Sequence, residues 1–538
     1  MESIKVMSPV INIKPDVESN HIIHLPCQRY TPQILTAQSF QVSPSQPVQT
    51  SFVFNPPSLQ SVVDRQMYVR AYLDVTTDQP LILGIEDSLR QFPLNSIIDV
   101  TTVSINGESV SDNTQSKLHA MLTYGNTRED RDKSTSVSPA QPDQYQQYSD
   151  WTTLGSARNT ACFYGENSAE MSRGSFPIEV ISPTRFRAVV CEPIFVSPMV
   201  TGFGQQQEGM VNVNEFTLNL RHSSNVARVL SHSSNGNAIT AVNVSFYQAP
   251  ELLISVYTPD LLQRIPELQI LSYSKPNEYI RQMGDIAPQA VQTVFSDTIR
   301  LSQIPRYIYM FARRSEATSN FSTTDSFCSI EGISVNWGND SGLLASASKQ
   351  QLYEINKRCG SNLSWGQWSK YRGSVLALEL GRDIGLQSFE AAGVNGAYTL
   401  QVQVQFKNQS ASTFSGQFYL VTVNQGNFSI SPNTARSSLG GLTPELVLQA
   451  RNSPELPRSD YDNLVGGSFW SSLKSIVHKI SSAVAPALSA VNPALGMVAQ
   501  GVSGLTGSGM MPNQAMMSSA TGGRRIGGAM DSGRVRRR

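Results

Sequence analysis

The run His21-Ile-Ile-His24 holds the most closely spaced histidines in the chain. Two imidazoles at such spacing could begin a metal site, but no carboxylate partner stands at ligand spacing, so a solvated N-terminal arm over 1–28 is expected and no metal site. Cys27, Cys162, Cys191, Cys328 and Cys359 are scattered, odd in number and without a CxxC pair, which fits reduced thiols rather than a disulfide frame. No phosphate loop, GxSxG or HExxH occurs. Asp99, Glu108, Glu379 and Asp383 stand apart in strands or turns, and only their spacing in space decides whether any two form a hydrolytic pair. No catalytic residue and no cofactor is therefore assigned.

The residues with the clearest physical character lie at the C-terminal end. In "GGSFWSSLKSIVHKISSAVAP", Phe469, Trp470, Leu473, Ile476, Val477, Ile480 and Val484 recur at helical spacing. Ser471, Ser472, Lys474, Ser475, His478, Lys479, Ser481 and Ser482 take the other face. Ser468 can cap this helix and Pro486 stops it, which gives an amphipathic helix over 468–486. Trp and Phe at one end with Lys opposite suit a membrane interface, where each large side chain would contribute about 1.5–3 kcal/mol. The same face also suits docking on protein, and both readings stay open.

Behind it, residues 487–538 are rich in Ala, Gly and Met and end in Arg524, Arg525, Arg534, Arg536, Arg537 and Arg538. From Ser468 onward there are eight Lys and Arg and one acid, so a chain of net charge zero carries +7 there and −7 over 1–467. Such a tail suits an anionic partner such as packaged DNA, with salt-sensitive binding. No aromatic residue is interleaved, so base stacking is not expected. Nuclear import and solubility are the other readings.

The body in front of this tail reads as β-structure. "MYVRAYLDV" from Met67, "EFTLNLRH" from Glu215, "PRYIYMFAR" from Pro305, "YTLQVQVQFKN" from Tyr398 and "QFYLVTV" from Gln417 are separated by Pro, Gly, Asn and Ser loops. Alternation within several of them predicts antiparallel sandwiches. A chain of 538 residues exceeds one core, so at least two domains are expected. Charged residues make up 15%, and a surface of neutral polar groups fits close-packed copies of one protein. No leader-like apolar run opens the chain and no stretch approaches the roughly 20 apolar residues of a membrane span.

Five matches in the same order predict two copies of one fold. They pair "YTPQIL" at Tyr30 with "YTPDLL" at Tyr257, and "PSQPVQT" ending at Thr50 with "APQAVQT" ending at Thr293. "VSIN" at Val103 pairs with "ISVN" at Ile333, "SKLHAML" at Ser116 with "SKQQLYEI" at Ser348, and Phe216 with Tyr398. The offset falls from 230 residues at Val103 and Ile333 to 182 at Phe216 and Tyr398, so the first copy carries an insertion of 48, placed near 124–173. A polar loop of that length is either a surface excursion or an arm to a neighbouring subunit, the second favoured by Tyr145, Tyr148 and Trp151.

"IPRYIYMFARRS", "GISVNWGNDSGLLASASKQQLYEINKRCG" and "GSVLALELGRDIGLQSFEAAGVNGAYTLQVQVQFKN" carry a resemblance. Over residues 29–435 the chain resembles the double jelly-roll major capsid proteins of adenovirus-like, polinton-like and virophage-type DNA viruses. The resemblance implies an all-β fold of two tandem eight-stranded jelly rolls. It also implies homotrimers of pseudo-hexagonal outline that tile an icosahedral virion beside neighbouring capsomers and minor capsid proteins. A second resemblance lies in "GGSFWSSLKS", which looks like the start of the membrane-lytic segment of adenovirus protein VI. It implies adenoviral-type protease cleavage between Gly467 and Ser468, in "LVGG", and between Ser508 and Gly509, in "LTGSG". In adenoviruses that helix belongs to a separate protein.

The expected organisation is an arm at 1–28, a first jelly roll at 29–249, a second at 250–435 and a linker at 436–467, then the helix at 468–486 and the tail. The expected role is structural, in the capsid of a virion. A minor or vertex capsid protein and a carbohydrate-binding β-sandwich are the alternatives.

Overall fold

The computed structural model of the chain describes residues 27–36, 49–121, 124, 178–199, 209–259, 265 and 267–451, apart from short breaks at 60, 84–86, 91, 233–235, 316–317 and 325–327. Sixteen strands form its framework, eight in each half. The first eight are β1 (Cys27–Thr36), β2 (Gln49–Phe54), β3 (Tyr68–Thr77), β4 (Ile98–Ile105), β5 (Glu108–Asp112), β6 (Arg185–Pro193), β7 (Phe216–His222) and β8 (Val242–Pro259). The second eight are β9 (Gln269–Gln282), β10 (Val291–Phe295), β11 (Tyr307–Arg313), β12 (Ser329–Trp337), β13 (Asp340–Leu343), β14 (Leu376–Glu379), β15 (Asn395–Lys407) and β16 (Gln417–Ile430).

Both halves fold with one topology. In the first, one sheet runs β1-β8-β3-β6 and the facing sheet β2-β7-β4-β5. In the second, the sheets run β9-β16-β11-β14 and β10-β15-β12-β13, the same order with eight added to each number. All these pairings are antiparallel. Each half is thus an eight-stranded jelly roll.

Side-chain alternation explains the layers. In β3, Val69, Ala71, Leu73 and Val75 are buried, while Tyr68, Arg70 and Tyr72 between them are part-exposed. In β7, Phe216, Leu218 and Leu220 point inward in the same way. The first core gathers these with Phe52, Val103 and Phe186, and the second gathers Ile308, Trp368, Val402 and Phe406. The β4–β5 hairpin closes on Asn106 and Gly107, both at positive φ (47° and 85°), the combination that a two-residue turn between right-twisted strands requires.

Four of the five sequence matches fall on equivalent elements. Thr50 and Thr293 lie on β2 and β10, Val103 and Ile333 on β4 and β12, and Phe216 and Tyr398 on β7 and β15. The Ser116 and Ser348 segments lead into α1 (Leu118–Met121) and α2 (Lys349–Arg358), each just after the fifth strand of its half. The match of Tyr30 with Tyr257 is corrected. These residues belong to β1 and β8 of one sheet and pair with each other across it. Two strands of one sandwich carried similar hexapeptides, which imitated a repeat.

That correction moves the join. β8 runs through residue 250 to Pro259, and β9 begins at Gln269. Past residue 435 the chain is also ordered into elements, where a linker was expected. A strand, Ala435–Leu439, pairs with β16, and α3 (Pro444–Arg451) follows. The strand lies so close that a Cβ on Gly426 would meet the Ser438 carbonyl oxygen at 1.9 Å.

Candidate functional site

The two sandwiches meet along a junction to which many buried side chains contribute. The connection after β5 lays Ala120 and Tyr124 on the outer face of the β9-β16-β11-β14 sheet, against Tyr309, Phe311, Val421 and Tyr419. The rings of Tyr124 and Tyr309 meet edge-on with centroids 4.8 Å apart. The Tyr124 hydroxyl lies 2.6 Å from Asn356 Oδ1 and 2.9 Å from the Val375 carbonyl oxygen, and the Ala377 amide donates to the same Asn356 oxygen at 2.9 Å. Burial pushes the Tyr309 phenol above its ordinary range, so it remains neutral.

Beside this contact, Lys117 reaches across the junction. Its ammonium donates at 2.5 Å to Asp112 of its own sandwich and at 2.5 Å to Glu278 on β9. Ser116 Oγ donates to the same Glu278 oxygen at 2.8 Å. Lys117 is 5% exposed. Burial raises the Asp112 carboxyl, while Lys117 pulls it the other way. With one cation between two largely covered carboxylates, removing any one partner strands the charge that remains.

In the opposite sense, the β11–β12 connection of the second sandwich enters the first. Arg90, fully buried, donates through Nη2 to the carbonyls of Asn320 (3.1 Å) and Thr323 (2.6 Å) and through Nε to Arg228 O (2.8 Å). Asn225 Nδ2 donates to Ser319 O at 2.6 Å, and the His232 amide donates to Phe321 O at 2.8 Å. The His232 ring lies 2.6 Å from Asp87 Oδ1 and edge-on to Phe321. Asn106 and Glu108 complete the seam, bonding to Ser431 O and to the Ser437 amide. Leu271, Tyr273, Phe428 and Ile430 of the second sandwich join the first core outright.

Such a seam offers rigidity rather than reactivity. Each isolated acid of the sequence is tied down: Asp99 by Arg221, Glu108 by Ser437, Glu379 by Arg306 and Arg382, Asp383 by Arg382 and the Glu379 amide. Burial pushes the Cys359 thiol up to about 12 and the Cys191 thiol to about 11, away from the thiolate form. Burial depresses His222, which bonds Thr50 Oγ1, to about 4. Among the described residues no group of three His, Cys, Asp or Glu is placed to hold a metal ion, and no helix is long and apolar enough to cross a membrane.

The residues singled out in the sequence lie beyond Arg451, outside the described residues. These are Gly467, Ser468, Ser508 and Gly509, the apolar helix face from Phe469 to Val484, and the six arginines from Arg524 to Arg538. Tyr145, Tyr148 and Trp151 also fall outside them. Sequence reading missed Tyr124, Lys117, Glu278 and Arg90. The one available signal was polar or aromatic residues next to strands with no local partner, which is too common to single them out.

Comparison with known proteins gives a consistent result. Residues 27–186 match the Sputnik virophage major capsid protein first domain, and residues 277–426 match the major capsid protein V20 C-terminal domain. The chain is 30% identical over 478 residues to capsid protein V20 of Sputnik virophage, covering 81% of this chain and 80% of that one. Among solved structures, the Sputnik virophage structure from cryo-EM matches with a TM-score of 0.74 at 29% identity, over 86% of this chain and 98% of that one. The mavirus major capsid protein shares the fold, with a TM-score of 0.65 at 15% identity over 82% of this chain and 95% of that one.

Proposed function

The chain belongs to the Sputnik virophage major capsid protein family, and from that premise we propose that three copies close into a pseudo-hexagonal capsomer that tiles a virion shell. The role is structural and non-enzymatic, in keeping with a capsid relative. One observation carries the trimer: two sandwiches of identical strand order are locked side by side by a buried seam. A rigid subunit with two equivalent lobes gives a threefold ring six similar sides, and closed symmetry is the usual state of homo-oligomers.

The chain after α3 gives this capsomer a basic extension. In the proposed reading the helix at 468–486 and the arginines from Arg524 onward face the virion interior. There they contact packaged DNA or a membrane, with release by cleavage after Gly467 and Ser508. Support comes from the charge split of +7 against −7 and from the helical spacing of the apolar residues. Purified protein run on a sizing column with light scattering tests the capsomer; a stable monomer at high concentration would contradict it.

A further inference from the structure

The sheet face that the seam covers in the second sandwich has a counterpart in the first that no described segment crosses. Setting the first residues of β3 and β11, Tyr68 and Tyr307, in line matches the two faces position by position. On β11, Tyr309 stands opposite Val421 of β16 and Ala377 of β14. At the equivalent point of β3, Arg70 stands opposite Glu251 of β8 and Cys191 of β6. The flanking positions correspond as well: Tyr307 with Tyr68, and Phe311 with Tyr72.

The chemistry at matched points differs in one informative way. Under the α1 connection, Tyr309 and Val421 are 6% and 0% exposed, and the centre of the face is apolar. On the first sandwich the centre is an ion pair, Arg70 to Glu251 at 3.0 Å, and Glu251 also accepts the Tyr72 hydroxyl at 3.0 Å. The Arg70 side chain remains 35% exposed. Beside it Tyr247 is 36% exposed, edge-on to Tyr72 and with the Arg187 guanidinium 4.6 Å above its ring. A face rich in Tyr and Arg has the composition of interface anchors. An ion pair at its centre keeps the face wettable until a partner arrives, whereas the apolar centre of the second sandwich never meets water.

We propose that this face is the docking surface for a second copy of the chain, whose residues 344–358, including α2, lie across it. This assignment rests on the trimeric reading above. The occupant follows from continuity with the seam already described. In the first sandwich the connection after the fifth strand crosses onto the sheet of the next sandwich along the chain. In the second sandwich the connection after the fifth strand is residues 344–375, which contain α2, and the next sandwich around a ring belongs to another copy. A head-to-tail contact of this kind closes when the rotation returns to its start. The exposed side of α2 carries the Glu354–Lys357 ion pair, 3.3 Å apart and 56% and 48% exposed, to set against the Glu251–Arg70 pair.

A photo-crosslinking side chain, p-benzoylphenylalanine, placed at position 247 of the full chain tests this. Trimers assembled from equal amounts of 15N-labelled and unlabelled chain are irradiated, digested and read by mass spectrometry. The expected product joins position 247 of one copy to a peptide within 344–372 of another. A trimer whose crosslinks are all within one chain, for example to residues 125–177, or that join copies elsewhere, overturns the assignment alone. A chain that never forms trimers overturns the trimeric reading and this assignment together. As a second arm, Glu251→Arg is expected to lower trimer yield at least tenfold with the monomer's melting midpoint within a few degrees of wild type. A trimer yield equal to wild type overturns the assignment.

Discussion

The hydroxyl of Tyr124 lies 2.6 Å from Asn356 Oδ1, which ties two residues 232 positions apart across the boundary between two sandwiches. Both are buried, and the same asparagine oxygen takes the Ala377 amide, so the bond anchors a connection of the first sandwich to the β14 edge of the second.

Tyr124→Phe removes this bond and keeps the ring. The expected cost is about 0.5–1.5 kcal/mol in the unfolding free energy: a net hydrogen bond is lost, while Asn356 Oδ1 keeps the Ala377 amide and the Val375 carbonyl keeps the Trp368 indole N–H. Denaturant unfolding followed by fluorescence checks it. No change in midpoint would show that the hydroxyl contributes nothing to the seam.

Lys117→Met leaves Asp112 and Glu278, 16% and 13% exposed, without their shared cation. A loss of about 3–5 kcal/mol is expected, because breaking a buried pair strands the remaining charge. The double variant Lys117→Met with Glu278→Gln should recover a large part of it. Equal stability of single and double variants in urea would show that the two side chains do not act as a unit.

The Glu192 carboxylate, 1% exposed, accepts from the Leu94 and Asn95 amides at 2.8 Å and from Asn95 Nδ2 at 2.7 Å. Burial outweighs these bonds and lifts its pKa to about 7, above the roughly 4.3 of a free glutamate. The folded chain therefore holds this proton more tightly than the unfolded chain. The group's stabilising contribution is full below the free value and is lost as pH rises through about 7. Asp64, lifted by burial to about 6, acts with the same sign, and His222, depressed to about 4, acts against it. In Glu192→Gln the other two remain, so the difference in melting temperature between variant and wild type isolates Glu192. That difference should change between pH 5 and pH 8, with wild type losing more on the alkaline side. A constant difference across the range would rule the group out.

A synthetic peptide spanning 468–508 is expected to release dye from anionic vesicles at micromolar concentration. A Trp470→Ser, Leu473→Ser version should be at least tenfold weaker. Absence of leakage from the native peptide would remove the membrane reading and leave docking on protein.

The duplicated fold was legible because alternation and turn residues are local signals. "VSIN" before Gly107 and "ISVN" before Gly338 each mark a fourth strand entering a hairpin, and the in-register chain of such marks survived folding. The Tyr30 and Tyr257 match failed because the two hexapeptides belong to strands that pair with each other in one sheet, so their likeness marks no second copy. The seam was not legible. Lys117 and Glu278 are 161 positions apart, and nothing near either one signals the other. Arg90 reads as a surface cation until the β11–β12 connection is folded over it. The centre of the first sandwich's outer face differs from that of the second only in pairing, Arg70 with Glu251 against Tyr309 with Val421, which strand register alone reveals.

The central claim is that a doubled jelly roll closes threefold. Sizing with light scattering, followed by electron microscopy of the same peak, addresses it most directly. The account predicts a mass of three times the 58.9 kDa chain and particles of six-cornered outline. A monodisperse 58.9 kDa species at high concentration, or a ring of any other order, would contradict it.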